Sequence, residues 1–310
     1  MDVEEPGWLM GHQELFARRA RGNTCLSALQ SMEGLDSRAT NHGKGCGGVM
    51  RVAPVGMFSR TAIEAQFECD ADYCFRLGAS LAGITHGHPT GRLAAGAFAV
   101  IILRLLQGAT PPVAIGEAKP LLRSEYDYEE TLAAIERAER IAASSLPTER
   151  AIAELGEGWV AEEALAIALY CALTSRDFES GVIAAVNHDG DSDSTGSMAG
   201  NLLGAIHGDE AIPKRWLEGL ELRGPIGEIA EDLLAYPEWN IGEYVEGPEP
   251  TFYQARYPGN QGDNPHPQPP GTRAAPPWPP WRARAPRGRA RPRSSWLPAG
   301  SRPTRGLRRR

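Results

Sequence analysis

An all-α domain followed by a disordered tail is the architecture this sequence predicts, on three observations. Several segments carry apolar residues at steps of three and four and are rich in alanine and glycine, the pattern of closely packed helices. Stretches that alternate apolar and polar residues with β-branched enrichment are sparse. The composition then shifts sharply toward Pro, Arg, Gly and Ala, with no apolar period, as in chains that cannot bury a core. The expected division is a compact helical domain over residues 1–248 and a disordered tail over 249–310.

The helical elements follow in chain order. Residues 71–83 place Tyr73, Leu77 and Leu81 four apart, an expected buried face. Residues 91–107 contain the run LAAGAFAVIILRLL, about fourteen residues interrupted by Arg104. That is short of the roughly 20 that span a bilayer, so a buried helix is expected and no membrane partner. In residues 127–143, Tyr128, Leu132, Ile135, Ala138 and Ala142 line one side; in residues 160–174, Ala164, Leu165, Ala168 and Cys171 do so. Asp177 is placed to cap the next helix, which begins FESGVIAAV.

Charge and cysteine content narrow the function classes. The net charge is -7, yet residues 265–310 hold twelve arginines and no acidic residue, which leaves -19 on residues 1–264. An acidic body argues against a nucleic-acid-binding core, and the basic tail is the one segment suited to a polyanion. Five cysteines with no C-x-x-C pair point to a reducing, cytoplasmic compartment. The N-terminus is acidic first and lacks an apolar signal core.

The densest chemistry lies in NHDGDSDSTGSMAGNLLGAIHG, residues 187–208. An EF-hand is excluded, because Ser194 and Gly200 stand where the loop needs its glycine and its bidentate glutamate. A helix start is expected near Gly196, with Ser194 or Thr195 as its cap. Met198, Leu202 and Ile206 then share one face, Gly196, Gly200 and Gly204 admit a close neighbour, and Gly208 ends the helix. Capping needs one oxygen and the segment offers three carboxylates. Asp191 and Asp193, two apart in an extended loop, turn to one side with the Ser194 hydroxyl beside them. Such hard oxygen donors suit Mg²⁺, Mn²⁺ or Ca²⁺.

Four segments in order, GKGCGGVMRVAPVG, THGHPTGRLAAGAFA, GDSDSTGSMAGNLLGAIHG and IPKRWLEGL, resemble motifs of the ADP-ribosylglycohydrolase family. That family includes the enzymes that remove ADP-ribose from dinitrogenase reductase. The resemblance spans roughly residues 15–235. It implies an all-α fold, two Mg²⁺ ions (Mn²⁺ in some members) and hydrolysis of the bond between ADP-ribose and a modified side chain or other acceptor. On this reading Asp191, Asp193 and Ser194 are metal ligands. The loop residues Gly45, Cys46, Gly47 and Gly48 approach ADP-ribose, with backbone N–H groups free for phosphate oxygens. His86 lies near the substrate, and His188 and Asp189 flank the metal site. The expected partner is an ADP-ribosylated protein or small molecule.

The family's other ligands belong to a Thr-Asp-Asp-Thr motif well upstream of the glycine-rich loop. About forty residues precede that loop, and no Asp-Asp pair occurs in the sequence. The resemblance is therefore to a member incomplete at its N-terminus. Two readings stay open: a metal-dependent hydrolase, or a catalytically dead remnant that binds ADP-ribose. An arginine-tailed interaction protein is a third, for which only the tail speaks.

Overall fold

A computed structural model describes residues 7–17, 19, 22–34, 37–239 and 256–257. These lie in a unit spanning Met1–Ala274; a second unit, Ala275–Arg310, falls outside the described residues, as do the predicted boundary at 248 and all of the tail except residues 256–257. Among the described residues there are twelve α-helices, a few 3₁₀ turns and no strand, which bears out the all-α expectation. The helices are α1 (Asn23–Gln30), α2 (Ala53–Glu64), α3 (Ala71–Gly83), α4 (Pro89–Leu106), α5 (Pro111–Arg123) and α6 (Glu129–Ala142). They continue as α7 (Thr148–Leu155), α8 (Ala161–Thr174), α9 (Phe178–Val186), α10 (Ser192–His207), α11 (Lys214–Glu218) and α12 (Arg223–Ala235).

The core is organised around α4 and α8. Helix α4 starts with Pro89 in its first turn, where proline's missing N–H costs nothing, and His88 Nδ1 accepts from Thr90 N at 3.2 Å as its cap. Nearly every α4 residue from Thr90 to Leu105 is buried. It packs against α2, α3, α5, α8 and α10. Although α4 is 18 residues long and apolar enough to cross a membrane, it is the enclosed centre of this helical body. Helix α8 is likewise buried nearly all round, from Ala161 to Ala172, so its expected single apolar face is a full circumference. Asp177 caps α9 as expected, accepting from Ser180 N at 2.7 Å.

The expected face of α3 needs correction. Tyr73 and Leu81 are each more than a third exposed, and the core side is Cys74, Phe75, Gly78, Ala79 and Ala82. Small residues set this choice. A Cβ at Gly78 would lie 2.9 Å from the Ala99 Cβ, and one at Gly96 would lie 2.8 Å from the Phe75 carbonyl oxygen. The backbones of α3 and α4 therefore approach closely only through this face, and dispersion contact follows. In α6, Ile135 and Ala138 are buried as expected, joined by Thr131, Ala134 and Ile141; Tyr128, Leu132 and Ala142 pack against the core's edge.

Candidate active site

The loop before α2 and the N-terminus of α10 meet at Cys46, beside the segment that leads into α8. The loop is held by an antiparallel bridge between Gly45 and Val160, in which Cys46 N donates to Trp159 O (3.2 Å) and Ala161 N donates to Lys44 O (2.8 Å). After Cys46 the chain turns tightly: Val49 N and Met50 N both donate to Cys46 O at 3.0 Å. Val49 and Val52 are buried and anchor the far end. The N–H groups of Gly45, Gly47 and Gly48 have no hydrogen-bond partner among the described residues.

His86 lies under this loop. It is 1% exposed, and its Nδ1 is 2.8 Å from Thr85 Oγ1. A Cβ on Gly48 would stand 3.1 Å from His86 Nδ1 and 3.3 Å from the Ala82 Cβ, so glycine lets the loop lie on the imidazole. Burial, with the Arg51 guanidinium second, pulls the His86 pKa down to about 4, which leaves the ring neutral at pH 7. Arg51 itself reaches across to Thr85 Oγ1 (2.7 Å) and Leu81 O (2.8 Å), tying the loop to the end of α3.

On the other side, α10 starts earlier than its sequence suggests. Asp191 is its N-cap and Ser192 its first residue; Ser194 and Thr195 are inside the first turn, and no side chain caps the helix. The correction has a backbone cause. Asp191 N is held by Glu157 O at 2.7 Å, while Asp191 O accepts from Thr195 N at 3.2 Å as the opening helical bond. Asp193 is thus helical, not part of an extended loop. The Thr195 hydroxyl turns inward to Ala185 O (2.7 Å). The expected glycine face holds at Gly196, where a Cβ would meet Val186 Cγ1 of α9 at 2.4 Å; at Gly200 and Gly204 a Cβ would be 3.9 and 4.0 Å from Val182 and Phe178, ordinary contact that does not require glycine. Met198 and Leu202 are fully buried, and Gly208, with φ 79°, ends the helix.

Three predicted residues come together here. Asp191, the N-cap of α10, and Asp193, in its first turn, place two carboxyl groups at one helix end. Burial, and then the Asp193 carboxyl, push the Asp191 pKa up, while the bond from Asp191 holds Asp193 down. Ser194 is 3% exposed, its Oγ 3.5 Å from Met50 Sδ. Cys46 joins the loop to this group, with Sγ 2.7 Å from Asp191 Oδ2 and 3.3 Å from Ser194 Oγ. Burial, then the Asp191 carboxylate, drive the Cys46 pKa up to about 12, so the group is a thiol and the donor to Asp191. Among the described residues no set of three or more His, Cys, Asp or Glu side chains is arranged to hold a metal ion. Asp191, Asp193 and Ser194 bring two carboxyl groups and a hydroxyl to the start of α10.

The flanking residues shape the loop. His188 Nδ1 accepts from Gly190 N at 3.1 Å, which places the ring proton on Nε2 for Thr195 Oγ1 at 2.9 Å. Asp189 is exposed. Sequence reading missed the segment from Gly156 to Val160, which touches both halves of the site. Glu163 Oε2 accepts from Glu157 N and Gly158 N, both at 3.1 Å, and so folds that segment. The positive φ of Gly156 (126°) and Gly158 (82°) was its one legible sign, as a G-x-G pair.

The ADP-ribosylglycohydrolase family model matches residues 6–241. The chain belongs to this family of hydrolases. An uncharacterized protein of Archaeoglobus fulgidus is 30% identical over 225 residues, covering 71% of this chain and 68% of that protein. ADP-ribosylhydrolase ARH3 of Bos taurus is 26% identical over 229 residues, covering 64% of this chain and 60% of ARH3. The chain thus spans less than two thirds of the length of that relative. A solved structure titled ADP-ribosylglycohydrolase-related protein complex is 29% identical, with a TM-score of 0.49 over 70% of this chain and 69% of the other.

Proposed function

We propose that this ADP-ribosylglycohydrolase family member binds ADP-ribose along residues 45–48 and uses Asp191, Asp193 and Ser194 toward Mg²⁺ in removing ADP-ribose from a modified side chain or other acceptor. The observation that carries this reading is the join at Cys46. One residue bonds the glycine-rich loop to Asp191 and Ser194, so a ligand on the loop sits beside the carboxylates.

Each part has a chemical task. The unpartnered N–H groups of Gly45, Gly47 and Gly48 are donors suited to a diphosphate. His86, neutral and buried, supports the loop without adding charge beneath it. The hard oxygens of Asp191 and Asp193, with the Ser194 hydroxyl, fit Mg²⁺ or Mn²⁺. Asp191, Asp193 and Ser194 would hold such an ion, which would supply positive charge to favour the oxocarbenium-like transition state of glycosidic hydrolysis. Cys46, as a donor, holds Asp191 in place. A partner is then an ADP-ribosylated protein or small molecule.

A second reading is favoured by one observation: the described residues offer only a partial donor set. On it, the chain binds ADP-ribose without turnover. One experiment addresses both. Titrate the chain with ADP-ribose and with Mg²⁺ by calorimetry, and incubate it with ADP-ribosylated arginine and serine peptides. Binding with Mg²⁺-dependent release supports the hydrolase; binding without release supports the second reading. Unchanged Mg²⁺ affinity in Asp191→Ala and Asp193→Ala would refute the ligand assignment.

A further inference from the structure

Lys44 immediately precedes the glycine-rich loop, and its side chain is committed elsewhere. Its Nζ donates to Glu130 Oε1 on α6 at 2.7 Å and to Glu162 Oε1 on α8. Glu130 Oε2 in turn accepts from Thr90 Oγ1, in the first turn of α4. Lys44 O accepts from Ala161 N at 2.8 Å, and a Cβ on Gly91 would stand 3.2 Å from Lys44 Cα. One residue thus joins the loop to three helices. Glu162 is 7% exposed, and its second oxygen, Oε2, is buried with no partner among the described residues. Its ion pair with Lys44 therefore carries most of the compensation for a buried carboxylate.

The loop needs such a restraint. Gly43, Gly45, Gly47 and Gly48 stand within six positions. Glycine loses more conformational freedom on ordering than any other residue. Among the described residues the N–H groups of Gly45, Gly47 and Gly48 make no hydrogen bond that would hold the loop. Preorganising them from outside lowers the ordering cost of binding.

We propose that Lys44, clamped by Glu130 and Glu162, is a positioning residue that holds the glycine-rich loop ready for a diphosphate. This rests on the ADP-ribose reading given above. It assigns Lys44 no contact with the ligand, because its ammonium is taken by two carboxylates.

The test uses Lys44→Met, Lys44→Arg and the double variant Lys44→Met/Glu162→Gln of the full chain. Two quantities are read: hydrogen exchange at the bonded amides of Cys46, Val49 and Ala161, and calorimetric affinity for ADP-ribose. Lys44→Met is expected to speed exchange at these amides and weaken ADP-ribose about tenfold. Lys44→Arg keeps both near the parent values. The double variant removes the uncompensated carboxylate and so recovers thermal stability, yet its loop amides stay fast and its affinity stays weak. That separation is one a purely stabilising role would not produce. Should Lys44→Met not fold, the double variant and Lys44→Arg decide. Loop exchange at the parent rate in the variants lacking Lys44 overturns the proposal. So does weakened binding with unchanged exchange, which would make Lys44 a direct phosphate contact. If the parent chain binds no ADP-ribose, the ligand reading fails while the exchange comparison still judges the clamp.

Discussion

Gly190→Ala is the most severe single-methyl change that the candidate site offers. Gly190 does not use glycine's conformational range, since its φ is not in the left-handed region, so the argument is one of space alone. A Cβ there would lie 1.9 Å from Glu157 O, 2.6 Å from Glu157 C and 2.8 Å from Glu157 Cα. All three are backbone atoms and cannot rotate away. Reaching a tolerable 3.0 Å requires one segment to move by at least 1.1 Å. The adjacent bond from Asp191 N to Glu157 O, 2.7 Å long, lies in the path of that movement. Its loss removes about 1 kcal/mol, and the overpacking adds about 1–3 kcal/mol. The total of about 2–4 kcal/mol corresponds to a fall in Tm on the order of 10 °C for a domain of this size. Asp191 moves with the backbone, so on the proposed role of Asp191 toward Mg²⁺ the affinity for that ion should fall roughly 10–100-fold. Thermal unfolding and Mg²⁺ calorimetry on the parent and variant read both effects. A Tm within about 1 °C of the parent, or a lowered Tm with unaltered Mg²⁺ affinity, would refute the reasoning that Glu157 and Gly190 set the position of Asp191.

Other expectations follow from the same geometry. Glu163→Ala strips the shared acceptor from Glu157 N and Gly158 N; a loss of about 1–3 kcal/mol is expected in denaturant unfolding, and a loss below about 0.5 kcal/mol would show that the G-x-G segment holds itself. His86, with a folded pKa near 4 against about 6.5 unfolded, binds its proton more weakly in the folded state. It contributes stability that is whole above pH 6.5 and lost as pH falls toward 4, on the order of 3 kcal/mol; a His86 NMR signal that titrates near pH 6.5 would contradict its burial. The buried thiols Cys74 and Cys171 are both raised to about 12 by burial. Unfolded thiols ionise near 8.5, so stability should fall as pH rises from about 9 toward 12, by up to ~1.4 kcal/mol per pH unit for each thiol. Replacing both by alanine should flatten that limb of a pH–stability curve, and an unchanged slope would count against the assignment.

Much of the fold was legible because helices announce themselves locally. The segments now seen as α3, α4, α6 and α8 were read to within two residues or so, since a 3.6-residue period and a cap such as Asp177 are short-range signals. The face of α3 was not legible. Tyr73, Leu77 and Leu81 are the more apolar stripe, yet Gly78 and Ala82 face the core because α4 offers Gly96 and alanines opposite them. A sequence shows one side of such a fit and not its partner. The start of α10 was misplaced for a related reason: the carbonyl that holds Asp191 belongs to Glu157, thirty-four positions away.

The candidate site divides along the same line. By itself, the sequence determined an all-α family member, the acid-rich start of one helix and a loop too rich in glycine to be an ordinary connection, because each is a pattern within about twenty consecutive residues. Only the tertiary structure decided that Cys46 touches Asp191 across 145 positions, that His86 is a buried neutral support, and that Lys44 is taken by Glu130 and Glu162. Those are pairings of charge, volume and hydrogen-bond direction between distant segments. Their strength depends on burial and on distances of a few ångströms, and neither exists until the helices have packed.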